Sequence, residues 1–112
     1  MSKFQEAVAG YQSTLEKLGV AVDSALLTAV TKGLGPSIYR PDASRVSCSD
    51  PDELARLKEK FLVGKLGLAD GPALDAAIKE ACEKMGASNS NKQRAVMCYL
   101  LVRKFGKEGL YK

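Results

Sequence analysis

The three cysteines are the residues of this chain with the clearest chemical potential. Cys48 lies in a polar stretch two residues before Asp50, where the positive end of a following helix favours a thiolate. Asp50 and Asp52 oppose that effect, because negative charges disfavour a thiolate. Cys48 is therefore a candidate for thiol-based redox chemistry, and an unreactive loop thiol is the simpler alternative. Cys82 and Cys98 fall on predicted buried helix faces, which indicates that they fill the core.

Two further clusters have residue types that could bind ions. Asp50, Asp52 and Glu53 could hold a hard cation, but no glycine-containing loop of alternating oxygen ligands follows them. Helix capping explains these three residues, and we expect no metal site. The segment Gly33–Pro36 has a glycine spacing that could cradle a phosphate, yet it lacks the lysine and hydroxyl residue of a P-loop. We therefore expect no cofactor.

The segment Gly33–Ser49 is the one irregular region that the sequence predicts. Two prolines and two glycines exclude a continuous helix there, although Asp42–Arg45 could form one turn. Long loops in small domains are often functional. Two arginines beside a tyrosine could form a small anion-binding corner, with solvated loop charges as the simpler alternative. The candidate site for a protein partner or a small anionic ligand comprises Tyr39, Arg40, Arg45 and Cys48.

Positive charge is concentrated near the C-terminus. Residues 92–112 carry six basic side chains against Glu108 alone, in a chain of net charge +4. This asymmetry favours a nucleic-acid hypothesis, and the last two predicted helices resemble a helix-turn-helix in outline. Only the start of the last helix could reach a groove, because the rest of it is apolar on every face. The candidate contacts are Asn91, Lys92 and Arg94, preceded by Asn89, and we expect no more than weak, nonspecific duplex binding.

Histidine is absent from all 112 residues. It is the commonest metal ligand and the side chain that titrates nearest neutral pH. Its absence excludes histidine-based nucleophile pairs, histidine general bases and zinc sites built on imidazole. No other constellation of acid, base and nucleophile is visible in the sequence. We therefore expect a binding or interaction protein rather than an enzyme.

Length and composition predict one domain over residues 1–112. A hydrophobic content of 46% and a charged content of 27% are ordinary for a water-soluble globular fold. No apolar stretch approaches the roughly 18 residues of a membrane span, and the first residues contain no signal-peptide h-region. An odd number of cysteines argues against a disulfide framework. We therefore expect reduced thiols, a cytoplasmic location and no membrane partner.

Helical periodicity with clear stop signals organises the chain. Each predicted helix has apolar residues at three- and four-residue spacing and a glycine near its end. The third has the strongest start, with Asp50 as N-cap, Pro51 at the first position and Glu53 completing a capping box. The five helices are predicted to run from Ser2 to Gly19, from Asp23 to Gly33, from Asp50 to Gly64, from Asp70 to Gly86, and from Ser88 or Ser90 to Gly106.

The last helix is predicted to be the centre of the fold. Its run Ala95–Val102 is apolar on every face, which is typical of a helix surrounded by others. A buried strand is the alternative, but alanine, methionine and leucine favour helix. The expected buried residues are Val96, Tyr99, Leu100 and Phe105. The predicted fold is therefore all-α, a compact multihelical array of about five helices around a buried C-terminal helix.

Several segments resemble a single family of small bacterial proteins that is catalogued only as a domain of unknown function. These segments are Leu26–Tyr39, Val46–Pro51, Lys65–Leu68 and Asn91–Val96. The resemblance spans nearly the whole chain and implies a compact multihelical array. It implies no activity, cofactor or site residue.

Overall fold

The computed structural model describes residues 3–40, 45–86 and 93–111. Over these residues the chain forms five α-helices, which are α1 Lys3–Lys17, α2 Ser24–Leu34, α3 Pro51–Leu57, α4 Pro72–Met85 and α5 Arg94–Phe105. A 3₁₀-helix, Gly35–Tyr39, follows α2, a π-helix, Lys58–Lys65, continues α3, and a second 3₁₀-helix, Glu108–Tyr111, follows α5. In this described part, the only extended pairing is an isolated bridge between Arg45 and Gln93. The predicted all-α array of five helices is confirmed.

Helix α5 is the centre of the core, as its sequence predicts. It packs against α1, α2 and α4, and it contributes seven buried residues to one continuous hydrophobic cluster. Val96 and Tyr99 are completely buried, whereas Leu100 and Phe105 are only partly buried and pack against the edge of that cluster. Leu100 and Phe105 are therefore less buried than Val96 and Tyr99, a difference that the sequence does not predict. The radius of gyration, 13.0 Å, is that of a compact domain of this length.

The buried Tyr99 hydroxyl connects α5 to the segment between α1 and α2. It donates a hydrogen bond to the Ala21 carbonyl at 3.0 Å and accepts one from the Asp23 N–H at 2.9 Å. A buried hydroxyl without partners would destabilise the core. Both of its roles are satisfied here, which fixes the start of α2 against the centre of the molecule.

The predicted N-caps of α2 and α3 are both present. Asp50 accepts hydrogen bonds from the backbone N–H groups of Asp52 and Glu53 at 3.0 and 3.3 Å, and Asp23 caps α2 in the same way. The end of α2 differs from the prediction by two residues. The helix continues through Leu34, and Gly35 rather than Gly33 takes the positive φ, 65°, that ends it.

The third predicted helix is not one regular α-helix. It begins at Pro51 as predicted, but from Lys58 to Lys65 it widens into a π-helix, and the Leu66 N–H donates to the Phe61 carbonyl five residues back at 2.9 Å. Gly64 fits this wide turn, because a Cβ there would lie 3.3 Å from the Glu59 carbonyl oxygen. The predicted continuity is therefore corrected.

A disulfide joins Cys48 to Cys82. This overturns the expectation of three reduced thiols, and with it the interpretation of Cys48 as a free loop thiol. The two residues are 34 positions apart, and packing brings their Cα atoms to 6.1 Å, within the range of a disulfide. Cys98 is free and completely buried, as a core-filling residue should be.

Some predicted features lie outside the described residues. They are the cap at Ser2, the turn over residues 42–44, the helix starts at Ser88 and Ser90, and the candidate contacts Asn89, Asn91 and Lys92. In the part that the structure describes, no helix combines the length and apolar character that membrane crossing requires.

Candidate functional site

A cavity of about 510 Å³ opens between α2, α3, the π-helix, α5 and the C-terminal 3₁₀-helix. Its volume is within the range of small-molecule sites. The floor is apolar and is formed by buried side chains, Val30 of α2, Leu57 of α3, Phe61 of the π-helix and Cys98 of α5. The cavity can therefore accept the apolar part of a ligand.

Basic side chains surround this floor. Arg56, Lys60 and Lys65 are exposed at the mouth of the cavity, and Arg94 is partly buried in its wall. Among the described residues that line the cavity, Glu53 is the one acidic residue. Four positive side chains and one carboxylate give the lining a net charge of +3. Charges of one sign around a cleft with low-dielectric walls raise the local concentration of oppositely charged ligands. The site therefore attracts anions.

Arg94 and Glu53 form a partly buried ion pair in the wall of the cavity. Arg94 Nη2 lies 3.2 Å from Glu53 Oε1, and the two side chains are 24% and 18% exposed. This pair joins the start of α5 to the first turn of α3. It fixes the planar guanidinium, which can bind a carboxylate or phosphate through two parallel hydrogen bonds.

Tyr111 closes one side of the cavity. Its ring lies against α2, so that a Cβ at Gly33 would be 3.6 Å from the tyrosine Cε1 atom. The Lys65 ammonium lies 5.5 Å from the centre of the same ring, within the range of a cation–π contact. Burial, with a smaller contribution from Cys98, raises the pKa of Tyr111 to about 12. The hydroxyl is therefore neutral at pH 7.

The Cys98 thiol in the floor of the cavity is unreactive at neutral pH. Its complete burial raises the pKa to about 12, and the opposing effect of nearby Arg94 is smaller. The thiolate is the nucleophilic form of cysteine, so Cys98 contributes an apolar surface at pH 7 rather than a nucleophile.

The π-helix determines how the basic rim is spaced. Lys60 and Lys65 both line the cavity although they are five residues apart, which suits a helix whose hydrogen bonds join residues five apart. Arg56, in the preceding α-helix, is four residues before Lys60. The change of helix type thus brings three cations from one continuous segment to a single opening.

The predicted loop site is not brought together around this cavity. Tyr39 is 49% exposed, and Arg40 and Arg45 are also exposed; none of the three lines the basic cavity. Cys48 lines a different groove. Of the predicted nucleic-acid contacts, Arg94 is described, and it faces the cavity and pairs with Glu53.

Sequence reasoning missed most of the cavity's residues. Arg56 and Lys60 are four residues apart on a predicted helix, next to the apolar Leu57 and Phe61. That pattern places cations beside an apolar patch and could have indicated the site. No comparable pattern in the sequence indicates that Tyr111 lines the cavity.

The acidic cluster at the start of α3 has structural partners. Asp50 caps the helix and Glu53 pairs with Arg94. Over residues 3–40, 45–86 and 93–111, no group of three or more histidine, cysteine, aspartate or glutamate side chains is arranged to hold a metal ion.

Comparison with known proteins identifies a family of unknown function. A family model described as a protein of unknown function (DUF2853) matches residues 10–109. No curated protein shows significant similarity to the chain.

Proposed function

The chain belongs to the DUF2853 family, and we propose that it is a binding protein for a small anionic ligand with an apolar part. The observation that carries this proposal is the combination, in one cavity of about 510 Å³, of a buried apolar floor and a rim with a net charge of +3. Ligand sites are commonly apolar with a few polar groups that orient the ligand.

The anionic group of the ligand is expected at the basic rim. Arg94 is held by Glu53 at 3.2 Å, while Arg56 of α3 and Lys60 of the π-helix line the same cavity. A carboxylate or phosphate between them would gain charge-assisted hydrogen bonds. The apolar part would then contact Leu57 and Phe61.

Binding, rather than catalysis, is part of the proposal. The chain contains no histidine, and the pKa of the Cys98 thiol in the cavity floor is raised to about 12. Neither a histidine base nor a thiolate is therefore available to act on a ligand at neutral pH.

We further propose that nucleic acid is not the physiological ligand. The partly buried Arg94 pairs with Glu53 instead of extending from the surface, and the apolar floor offers nothing to a hydrated phosphate backbone. Duplex binding should therefore be weak and lost as the salt concentration rises.

We propose a cytoplasmic location, for which the composition of an ordinary water-soluble domain is the support. The Cys48–Cys82 disulfide removes the other support, the expectation of reduced thiols. Fractionation of the native host, with antibody detection of the protein, tests this location. Recovery outside the cytoplasm would contradict it.

Titration with the amphipathic anion 8-anilinonaphthalene-1-sulfonate tests the binding site. We expect saturable one-to-one binding, with affinity reduced about tenfold or more in the Arg56→Glu/Lys60→Glu variant, a loss of about 1.4 kcal/mol or more. The matched control is Lys3→Glu/Lys17→Glu, which makes the same change of charge on α1, outside the cavity lining. Near-UV circular dichroism establishes that both variants are folded.

An uncharged probe separates charge recognition from simple hydrophobic adsorption. N-phenyl-1-naphthylamine has the same aromatic body without the sulfonate, and we expect it to bind more weakly than the anion. Equal affinities for the two probes, or equal losses in the two charge-reversal variants, would contradict the proposal.

A further inference from the structure

We propose that the Cys48–Cys82 disulfide is a site of reversible thiol–disulfide exchange with low-molecular-weight thiols, and that Cys48 is the sulfur attacked. This site is separate from the basic cavity and does not depend on the function proposed for it. The two sites share no lining residue among those described.

The disulfide lies beside a groove large enough for a small thiol. The groove measures about 440 Å³ and lies between the start of α3 and the middle of α4. Both cysteines are part of its wall, with Pro51 and Leu54 on one side and Ile78 on the other. This volume is in the range of small-molecule sites, so a thiol of tripeptide size can approach the disulfide.

The two sulfur-bearing residues differ in access. Cys48 is partly exposed on the segment before α3, whereas Cys82 is buried, at 9% exposure, on α4. Access is one of the factors that decide which sulfur of a disulfide is attacked. The incoming thiolate therefore meets Cys48 first.

The rim of the groove carries a charge that suits a carboxylate-bearing thiol. Lys79 is exposed at the edge of the groove. Asp75, on the same rim, shares Lys58 with Asp70, at 3.2 Å from each, which offsets part of its charge. Lys79 therefore provides the attraction for an acidic small thiol, and the shared Lys58 reduces the repulsion from Asp75.

Very small disulfide-stabilised domains need their disulfides to stay folded, but this fold does not need the Cys48–Cys82 bond. Helices α1, α2, α4 and α5 share one hydrophobic cluster, and each of the four contributes at least one completely buried side chain to it. A chain of 112 residues can bury a hydrophobic core large enough for stability without disulfides or metal ions. The bond can therefore open while the helices remain packed.

The exchange balances without an external oxidant. A thiolate RS⁻ attacks Cys48 Sγ, a bond forms between the two sulfurs, and the Cys48–Cys82 bond breaks. The electron pair goes to Cys82 Sγ, which leaves as a thiolate and takes a proton from solvent. A second RS⁻ then releases RSSR from Cys48, so that two thiols are oxidised and the protein disulfide is reduced.

Exchange in the reverse direction is favoured by the position of Cys82. Helix α4 holds this residue, and the Cα atoms of the pair are 6.1 Å apart in the closed form. While the core remains packed, Cys82 stays close to a mixed disulfide on Cys48 and can displace RS⁻ from it. This proximity makes the step reversible.

Mass mapping with reduced glutathione as the probe tests the site in the wild-type protein. The folded, oxidised protein is incubated with the thiol, quenched with acid, alkylated and digested. We expect a glutathionyl group on Cys48, a free Cys82 in the same molecules, and no adduct on the buried Cys98. An adduct mainly on Cys82, or no exchange until denaturant is added, would overturn the proposal.

Single-cysteine substitutions test the assignment independently. With oxidised glutathione, Cys48 in the Cys82→Ser variant should react about tenfold or more faster than Cys82 in the Cys48→Ser variant, because access controls the rate. Cys98 is present in both variants and is completely buried, so it should contribute no adduct to either rate. Comparable rates at the two sulfurs would overturn the assignment of Cys48 as the sulfur attacked. If either serine variant does not fold, the mass mapping of the wild-type protein decides the assignment.

Discussion

At the scale of single residues, the ionisation of Cys98 links burial to stability. Complete burial raises the pKa of its thiol from 9.0 to about 12. The unfolded chain releases this proton near the ordinary value, while the folded chain retains it. The stabilisation is therefore fully present below pH 9 and is lost as the pH rises towards the folded value.

We expect the free energy of unfolding to fall between pH 9 and about 12, with Cys98 contributing up to about 1.4 kcal/mol per pH unit. Urea denaturation at several pH values measures this slope. Cys98→Ala should reduce the slope, whatever its effect on stability below pH 9, while Tyr111 continues to contribute because burial raises its pKa too. An unchanged slope in the variant would show that Cys98 does not titrate in this way.

The cysteines also mark what could be predicted at this scale. The apolar neighbours of Cys98 indicate burial, and this prediction is confirmed. The state of Cys48 depends on a partner 34 residues away. No local sequence pattern predicts that Cys48 lies close to Cys82, because their proximity follows from how the segment before α3 packs on α4.

At the scale of elements, α3 and the π-helix that continues it carry half of the residues that line the basic cavity. The cap and the first turn are local features, and the sequence predicts them correctly from Asp50 and Pro51. The capping box is not completed, because Glu53 pairs with Arg94 and the Asp50 N–H donates to the Ser47 carbonyl at 3.2 Å. The change to a π-helix at Lys58 is not visible in that pattern. Its consequence, the placing of Lys60 and Lys65 at one opening, therefore could not be predicted either.

The Asp50 cap is expected to contribute measurably to stability. Asp50→Ala removes the acceptor for the Asp52 and Glu53 N–H groups and should lower the free energy of unfolding by about 1 kcal/mol. Asp52→Ala is the matched control, since this exposed carboxylate makes no capping bond and its loss should change stability by about 0.5 kcal/mol or less. Equal effects in urea denaturation would indicate that charge near the helix start, rather than capping, is what stabilises α3.

At the scale of the whole molecule, α3 separates the two sites. Arg56 and Leu57 line the basic cavity, whereas Leu54 and Ala55 line the groove beside the disulfide. The ion pair of Glu53 with Arg94 joins α3 to α5, and the disulfide joins the segment before α3 to α4. One short helix thus takes its position from both neighbours and presents a different face to each site.

The apolar run of α5 predicts a buried helix, but it does not predict which face is most buried. A run without polar residues has no amphipathic direction, and the choice between Leu100 and Leu101 depends on where α4 and α2 lie. Leu101 is completely buried, while Leu100 lies at the edge of the core. The sequence therefore does not distinguish the burial of Leu100 from that of Leu101.

The two leucines provide a matched test of the central position of α5. Leu101→Ala should lower the free energy of unfolding by about 2–5 kcal/mol, because it removes a fully buried side chain and leaves a cavity. Leu100→Ala makes the same chemical change in the same helix, with the same helix propensity, and should lower stability by about 1–2 kcal/mol. Urea denaturation of both variants measures the difference. A larger loss at Leu100 than at Leu101 would mean that α5 is rotated about its axis relative to α2 and α4. Arg94 and Cys98 would then not line the basic cavity in the way described.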